Sequence, residues 1–148
     1  MKVVRNLTIA LAAYVALGLM LDASLGYFQP QSDSTVVLRS FDAEGGVQET
    51  VLHLLDDDGQ LWVESGQWFR GWHDRVVANP DVELVRDGET AAYRAVPLDT
   101  PEALDRITQL MGRGDGIGYY LSRTLLLWAP IKPVRLDPKS PDNSREDP

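Results

Sequence analysis

Cysteine is absent from the 148-residue chain, which excludes disulfides, thiolate nucleophiles, lipid attachment at a cysteine and metal sites built on thiolates. Histidine is scarce, with two in the chain, so a site made of histidine alone would offer a metal at most two ligands. No run of Lys and Arg occurs: 14 basic against 22 acidic residues leave a net charge of -8. A surface that grips nucleic-acid phosphates is basic or carries a basic stripe, so nucleic acid is not an expected partner. What is present is the composition of a folded chain, 44% hydrophobic and 24% charged, at a length that suits one domain with one core.

The one long apolar run lies near the N-terminus. In MKVVRNLTIALAAYVALGLMLDASLGYF, Lys2 and Arg5 precede a stretch from Leu7 to Leu21 without a charge. It is too hydrophobic on every face for a half-buried helix. A core of ~15 residues falls between a signal-peptide core and the ~20 residues of a spanning helix. Continuation through Ala23, Leu25, Tyr27 and Phe28 reaches spanning length, with Asp22 near the far interface and the two aromatics at headgroup level. Ser24 and Gly26 would serve the alternative, a cleaved signal. The expectation is an uncleaved transmembrane anchor over residues 1–28. Its positive end lies in the cytoplasm and the remaining domain outside the inner or plasma membrane.

Residues 29–35, with QPQSDS, read as a linker. STVVLRSFD and VQETVLHLL, joined by AEGG, predict a hairpin, and DDDG turns the chain into a third strand, QLWVES. A short helix over Trp68–Val77 should end at Asn79-Pro80, because the residue before proline avoids helical dihedrals. DVELVRDGETAAYRAVPL carries the Asp-Gly signal of a tight hairpin, with Val82, Leu84, Tyr93 and Ala95 on its apolar face. Thr100 as N-cap, Pro101 in the first turn and apolar Leu104, Ile107, Leu110 and Met111 predict an amphipathic helix stopped by Gly112. GIGYYLSRTLLLWAP suits helix by length, and IKPVRLDP predicts an edge strand because of Pro133. The last ten residues, 139–148, read as a disordered tail. The sum is an α+β domain over 36–138: a meander of about six antiparallel strands closing a small split β-barrel, with flanking helices.

The order Ser65-Gly66, Trp72, Ala78-Asn79-Pro80, Val82, Asp87-Gly88 and Arg94-Ala95 resembles the deazaflavin (F-420)-dependent nitroreductase and quinone reductase family over Val36 to Asp137. The resemblance implies a split barrel that uses deazaflavin or FMN to reduce a quinone or nitro compound. It implies cofactor contacts at Ser65, Gly66, Trp68, Arg70, Trp72, Arg75 and Tyr120. Cofactor-using members carry a basic G-R-K-S-G element in the first hairpin, where this chain has SFDAEGGVQET, and Arg75-Val76 stand at the family's N-L. The expected partners are the membrane, a small molecule such as a quinone, and a second copy in a homodimer.

From the residues alone, Trp68, Arg70, Trp72, His73 and Arg75 form the main cluster. Two indoles four apart on a helix share a face, and a guanidinium can stack on a ring. The cluster fits two indoles closing a barrel end while the arginines meet acidic turns, and alternatively a pocket for a flat ring with Arg70 or Arg75 on an anionic group. His73 could also be the single axial ligand of a haem. Tyr119, Tyr120 and Arg123 form a second cluster. Asp56 to Asp58 lack the spacing of a calcium loop, and Ser65 lacks the elbow and base of a nucleophile. No metal site is expected, and no catalytic residue stands out.

Overall fold

The computed structural model describes residues 2–27, 34–68 and 71–139. The linker residues 29–33, Arg70 and the tail beyond Lys139 lie outside the described residues. The chain opens with α1 (Lys2–Tyr27), a helix long and apolar enough to cross a membrane, a description that a signal sequence also meets.

Seven antiparallel strands follow: β1 (Thr35–Phe41), β2 (Val47–His53), β3 (Leu55–Asp57), β4 (Gln60–Ser65), β5 (Asp81–Arg86), β6 (Glu89–Pro97) and β7 (Lys132–Pro138). They form one sheet in the order β2-β1-β5-β6-β7-β4-β3, which curls into a half-barrel and brings β2 toward β4. This is the expected split barrel, with a different path from the expected meander. The run VQETVLHLL breaks at Leu54, because β1 begins at Thr35 and offers β2 no partner beyond His53. Leu54 N–H instead donates to Ser34 O (2.9 Å), and Leu55 starts a new pairing with β4 at the far end of the sheet. β4 buries residues toward both faces and so takes an interior place, while β2, exposed over Val47–Glu49, forms an edge.

β7 is likewise interior, between β6 and β4, and not the edge strand that Pro133 suggested. Pro133 O accepts from Leu98 N–H (3.0 Å), so the proline's missing N–H faces β6 where that strand has already ended at Pro97. Two tight turns follow their sequence signals. Asp58-Gly59 and Asp87-Gly88 both have positive φ at both residues, as a type I′ hairpin requires.

The barrel interior holds Val36, Leu38, Leu52, Val63, Val82, Leu84, Ala95, Val134 and Leu136, closed by Trp72 and Val76 of α2 (Gly71–Ala78). α2 ends as expected at Asn79, whose Oδ1 accepts from Asp81 N–H (3.2 Å). It begins at Gly71, however, so Trp68 lies before the helix and does not share a helical face with Trp72.

The second core layer lies on the other face of the sheet, where Leu55 and Trp62 meet Ala103, Ile107 and Leu110 of α3 (Pro101–Leu125). Thr100 caps α3 with its hydroxyl accepting from Ala103 N–H (3.2 Å), and Arg106 pairs through both nitrogens with Asp57 on β3. Leu104 is exposed and Ala103 takes its expected place, a shift of one position around the helix. Gly112 does not stop α3. The helix breaks four residues later at Gly116 (φ 43°, ψ −120°), a conformation glycine alone adopts readily, and resumes to Leu125.

Candidate functional site

Alternation along β4 divides its side chains between two environments. Leu61 and Val63 face the barrel interior, and Ser65 follows them in phase; Trp62 and Glu64 face the layer under α3. Beyond Ser65 the strand ends at Gly66, where a Cβ would come 2.7 Å from Glu64 Oε2. The glycine lets the Glu64 carboxylate fold back across the strand end.

The break at Gly116 then lets the second half of α3 cross over this corner. Between them is a cavity of about 400 Å³, lined by His53, Glu64, Gly66, Met111, Tyr119 and Arg123, with Leu110, Leu126 and Ile131 as its apolar walls. A neighbouring cavity of about 200 Å³ shares His53, Glu64 and Gly66 and opens toward Gln67. Arg123 is the single cation among the residues lining the cavity of about 400 Å³. The Arg123 guanidinium lies 5.5 Å from the Trp128 ring centroid, and its Nε is buried with no hydrogen-bond partner among the described residues. Apolar walls with one carboxylate, one guanidinium, one phenol and one imidazole suit a small ligand that is mostly apolar and carries a few polar groups.

The residues singled out in the sequence are dispersed around this corner. Gly66 lines the cavity, and Ser65 is buried on the opposite face of β4. Trp72 is 1% exposed inside the barrel, edge-on to His73 with ring centroids 6.0 Å apart. Arg75 donates from Nε to Ser40 Oγ (2.9 Å) within the barrel wall and does not meet an acidic turn. Trp68 is half exposed, its N–H donating to Asp22 Oδ1 of α1 (3.2 Å). Of the paired tyrosines, Tyr119 reaches the cavity and Tyr120 faces outward. His53 and Glu64 were not singled out. The signal for Glu64 was its phase, one position from Ser65 on a strand with two buried faces.

His73 lies apart from this cavity, beside a second of about 480 Å³ with Asp99 and Lys132. Burial, and then the positive charge of Lys132, push its pKa below the usual histidine value, against an opposing pull from Asp74. Among the described residues no cluster of three potential metal ligands occurs.

The first hairpin turn bears on phosphate-carrying cofactors. Asp42 Oδ1 accepts from Gly46 N–H (2.6 Å) and Glu44 N–H (3.2 Å), while Asp42 O accepts from Gly45 N–H (3.1 Å). The chain's own carboxylate therefore occupies the amides that a phosphate would use. Together with Glu44, it makes this turn unfit for the phosphate of deazaflavin or FMN.

No family model matches the chain, and no curated protein matches it. Solved structures do share its fold. The haem storage protein HutZ from Vibrio cholerae is 17% identical, with a TM-score of 0.54 over 75% of this chain and 85% of that one. An F420-H2 dependent reductase is 16% identical, with a TM-score of 0.54 over 70% of this chain and 94% of that one. A structure described as a domain-swapped dimer is 15% identical, with a TM-score of 0.59 over 92% of this chain and 98% of that one. At these identities the likeness establishes a split-barrel fold, one that serves both redox and ligand-holding proteins.

Proposed function

We propose that the protein is a membrane-anchored split-barrel oxidoreductase of the nitroreductase and quinone reductase kind. It takes a flat ring without phosphate, a quinone or a nitro compound, into the cavity under α3. The observation that carries this reading is Arg123: a guanidinium with a buried, unpartnered Nε at an apolar cavity that also holds a phenol and a carboxylate. Reduction of a quinone or nitro group, with hydride or electrons supplied by a flavin-like ring held without a phosphate grip at the first hairpin, builds negative charge on oxygen, and a fixed cationic donor stabilises that charge most where water is excluded. Tyr119 is positioned to supply a second O–H donor, and Glu64 and His53 are the groups able to hold or pass a proton. Neither deazaflavin nor FMN finds a phosphate grip at the first hairpin, so these residues account for binding and orienting the acceptor ring. Of the cofactor contacts expected from the sequence, Gly66 lines this cavity, whereas Ser65, Trp68, Trp72, Arg75 and Tyr120 are not among its lining residues. The assembly is a homodimer at the inner or plasma membrane, with the domain outside the cytoplasm.

A second reading is favoured by Asp42 alone: a non-catalytic barrel that binds a small apolar ligand or an envelope partner, its phosphate grip replaced by a carboxylate. Visible absorption of the full chain in lipid nanodiscs, followed by titration with a short-chain quinone, FMN, deazaflavin and haem, separates the two. A bound chromophore that reduces the quinone supports the first. A colourless protein that binds the quinone without reducing it supports the second. In either case Arg123→Met should weaken quinone binding by roughly tenfold or more, the loss of a charge-assisted hydrogen bond. A protein that takes up none of the four overturns both.

A further inference from the structure

The second half of α3 and the turn after it form an apolar surface that the fold leaves uncovered. From Gly116 to Pro130 the sequence GIGYYLSRTLLLWAP carries one charge in 15 residues, Arg123. Ile117 is 89% exposed, Tyr120 62%, Leu121 61% and Trp128 53%. A helix that faces water normally carries charge on its outer face, and monomeric soluble proteins rarely expose a contiguous patch of this kind.

This surface adjoins α1. The Tyr14 hydroxyl donates to Thr124 O, and a Cβ on Gly18 would come 2.6 Å from Leu127 Cγ and 3.0 Å from Leu125 O. Asp22, 2% exposed, accepts from Trp68 N–H. Residues 14, 18 and 22 form one stripe of the helix, ~12 Å long at the helical rise of ~1.5 Å per residue. The candidate span runs from Lys2 to Ser24, 23 residues. That length is ~34 Å, against a bilayer hydrocarbon core of ~30 Å. The stripe therefore covers the half of the span nearer the domain, and whatever packs on it lies at the depth of that leaflet.

The backbone of the segment suits such a place. Hydrocarbon offers no partner to a free N–H or hydroxyl. Leu126 N–H donates to Ser122 O, Leu127 N–H to Thr124 O, Trp128 N–H to Arg123 O and Ala129 N–H to Leu126 O. The Ser122 and Thr124 hydroxyls bond back to Tyr119 O and Tyr120 O. Leu127 and Trp128 even adopt left-handed φ of 53° and 52°, at a cost of roughly 1 kcal/mol or more each, within a turn that keeps every one of these amides bonded. Arg123, the one charge of the segment, has its Nε buried and its guanidinium 5.5 Å from the centroid of the Trp128 ring.

We propose that Ile117–Trp128 is immersed among the acyl chains of the leaflet on the domain's side, packed along α1, so that two elements attach the protein to the bilayer. This rests on the reading of α1 as a span. The absence of native cysteine makes a direct test available. Single cysteines at Leu121, Ile117, Leu7 and Asp87 carry nitroxide labels on the full chain in phosphatidylethanolamine–phosphatidylglycerol vesicles. Relaxation by oxygen is then compared with relaxation by a water-soluble nickel chelate. The labels at Leu121→Cys and Ile117→Cys should be roughly tenfold less accessible to nickel than Asp87→Cys, since the chelate is excluded from hydrocarbon, and as accessible to oxygen as Leu7→Cys. If Leu7→Cys is lipid-exposed while Leu121→Cys is fully open to nickel, the immersion is overturned and the span stands. If Leu7→Cys is itself open to nickel, the span fails and the immersion with it. A Leu121→Cys label shielded from both reagents and broadened by a second label would place another copy of the chain there, which also overturns the proposal.

Discussion

Trp72 gives up almost all of its surface to the barrel interior, whereas Trp68, four positions earlier, keeps half of its own in solvent. Trp72→Ala should cost about 3–5 kcal/mol, the range for emptying a large buried ring, as read from chemical denaturation. Its Nε1 is buried without a partner among the described residues, so Trp72→Phe should be far milder, removing that donor along with part of the ring. His73 gives a pH signature. Its folded pKa lies below the unfolded value, so the unfolded chain binds more protons as pH falls through the histidine range. Stability should therefore be complete above about pH 6.5 and decline below it until the folded pKa is passed, and His73→Gln should flatten that part of the curve. A stability profile that is flat between neutrality and pH 5, or one unchanged by the substitution, would remove His73 from the account. The roles of these residues were only partly legible. Trp72 and His73 were visible as an aromatic cluster, but whether an indole fills a core or a pocket depends on which strand lies opposite, and that is a long-range fact.

Helix and turn signals were legible where the physics is local. Thr100-Pro101, Asn79-Pro80 and Asp87-Gly88 each fix two or three dihedrals through neighbouring groups, and the structure places a cap, a stop and a hairpin there. Strand order was not legible, because β7 takes its position from β4 and β6, tens of residues away, and so carries the local β3–β4 hairpin to the far end of the sheet. Gly112 and Gly116 show the same limit: either can end a helix, and the choice follows from where the second half of α3 must lie. The seam between α1 and that half depends on the missing side chain of Gly18. Gly18→Val cannot be accommodated against Leu125 O, a backbone atom, so it should part the two helices while leaving the barrel intact. Faster amide exchange over residues 119–128, with unchanged exchange in β5 and β6, is the expected result; uniform exchange throughout would show that the seam contributes nothing.

At the scale of the whole molecule, one sheet carries a core on each face, the barrel interior beneath α2 and the layer beneath α3. Its edge at β2 carries Gln48 and Glu49, the latter paired with Arg39 of β1, and charge at an edge disfavours sheet-to-sheet aggregation. Attachment through α1 predicts that the full chain stays in the membrane pellet after an alkaline carbonate wash, whereas release to the supernatant would point to a cleaved signal. The packing of α1 against α3 also imposes an order in time. Tyr14 and Thr124 are 110 residues apart, so the first helix to be made meets its partner surface only when nearly all of the barrel has been synthesised. Until then Tyr14 and Gly18 lack the surface they pack on, and that part of the nascent helix must be sheltered by lipid or by a chaperone. Completion of the barrel, and not synthesis of α1, is the step that closes the joint between them.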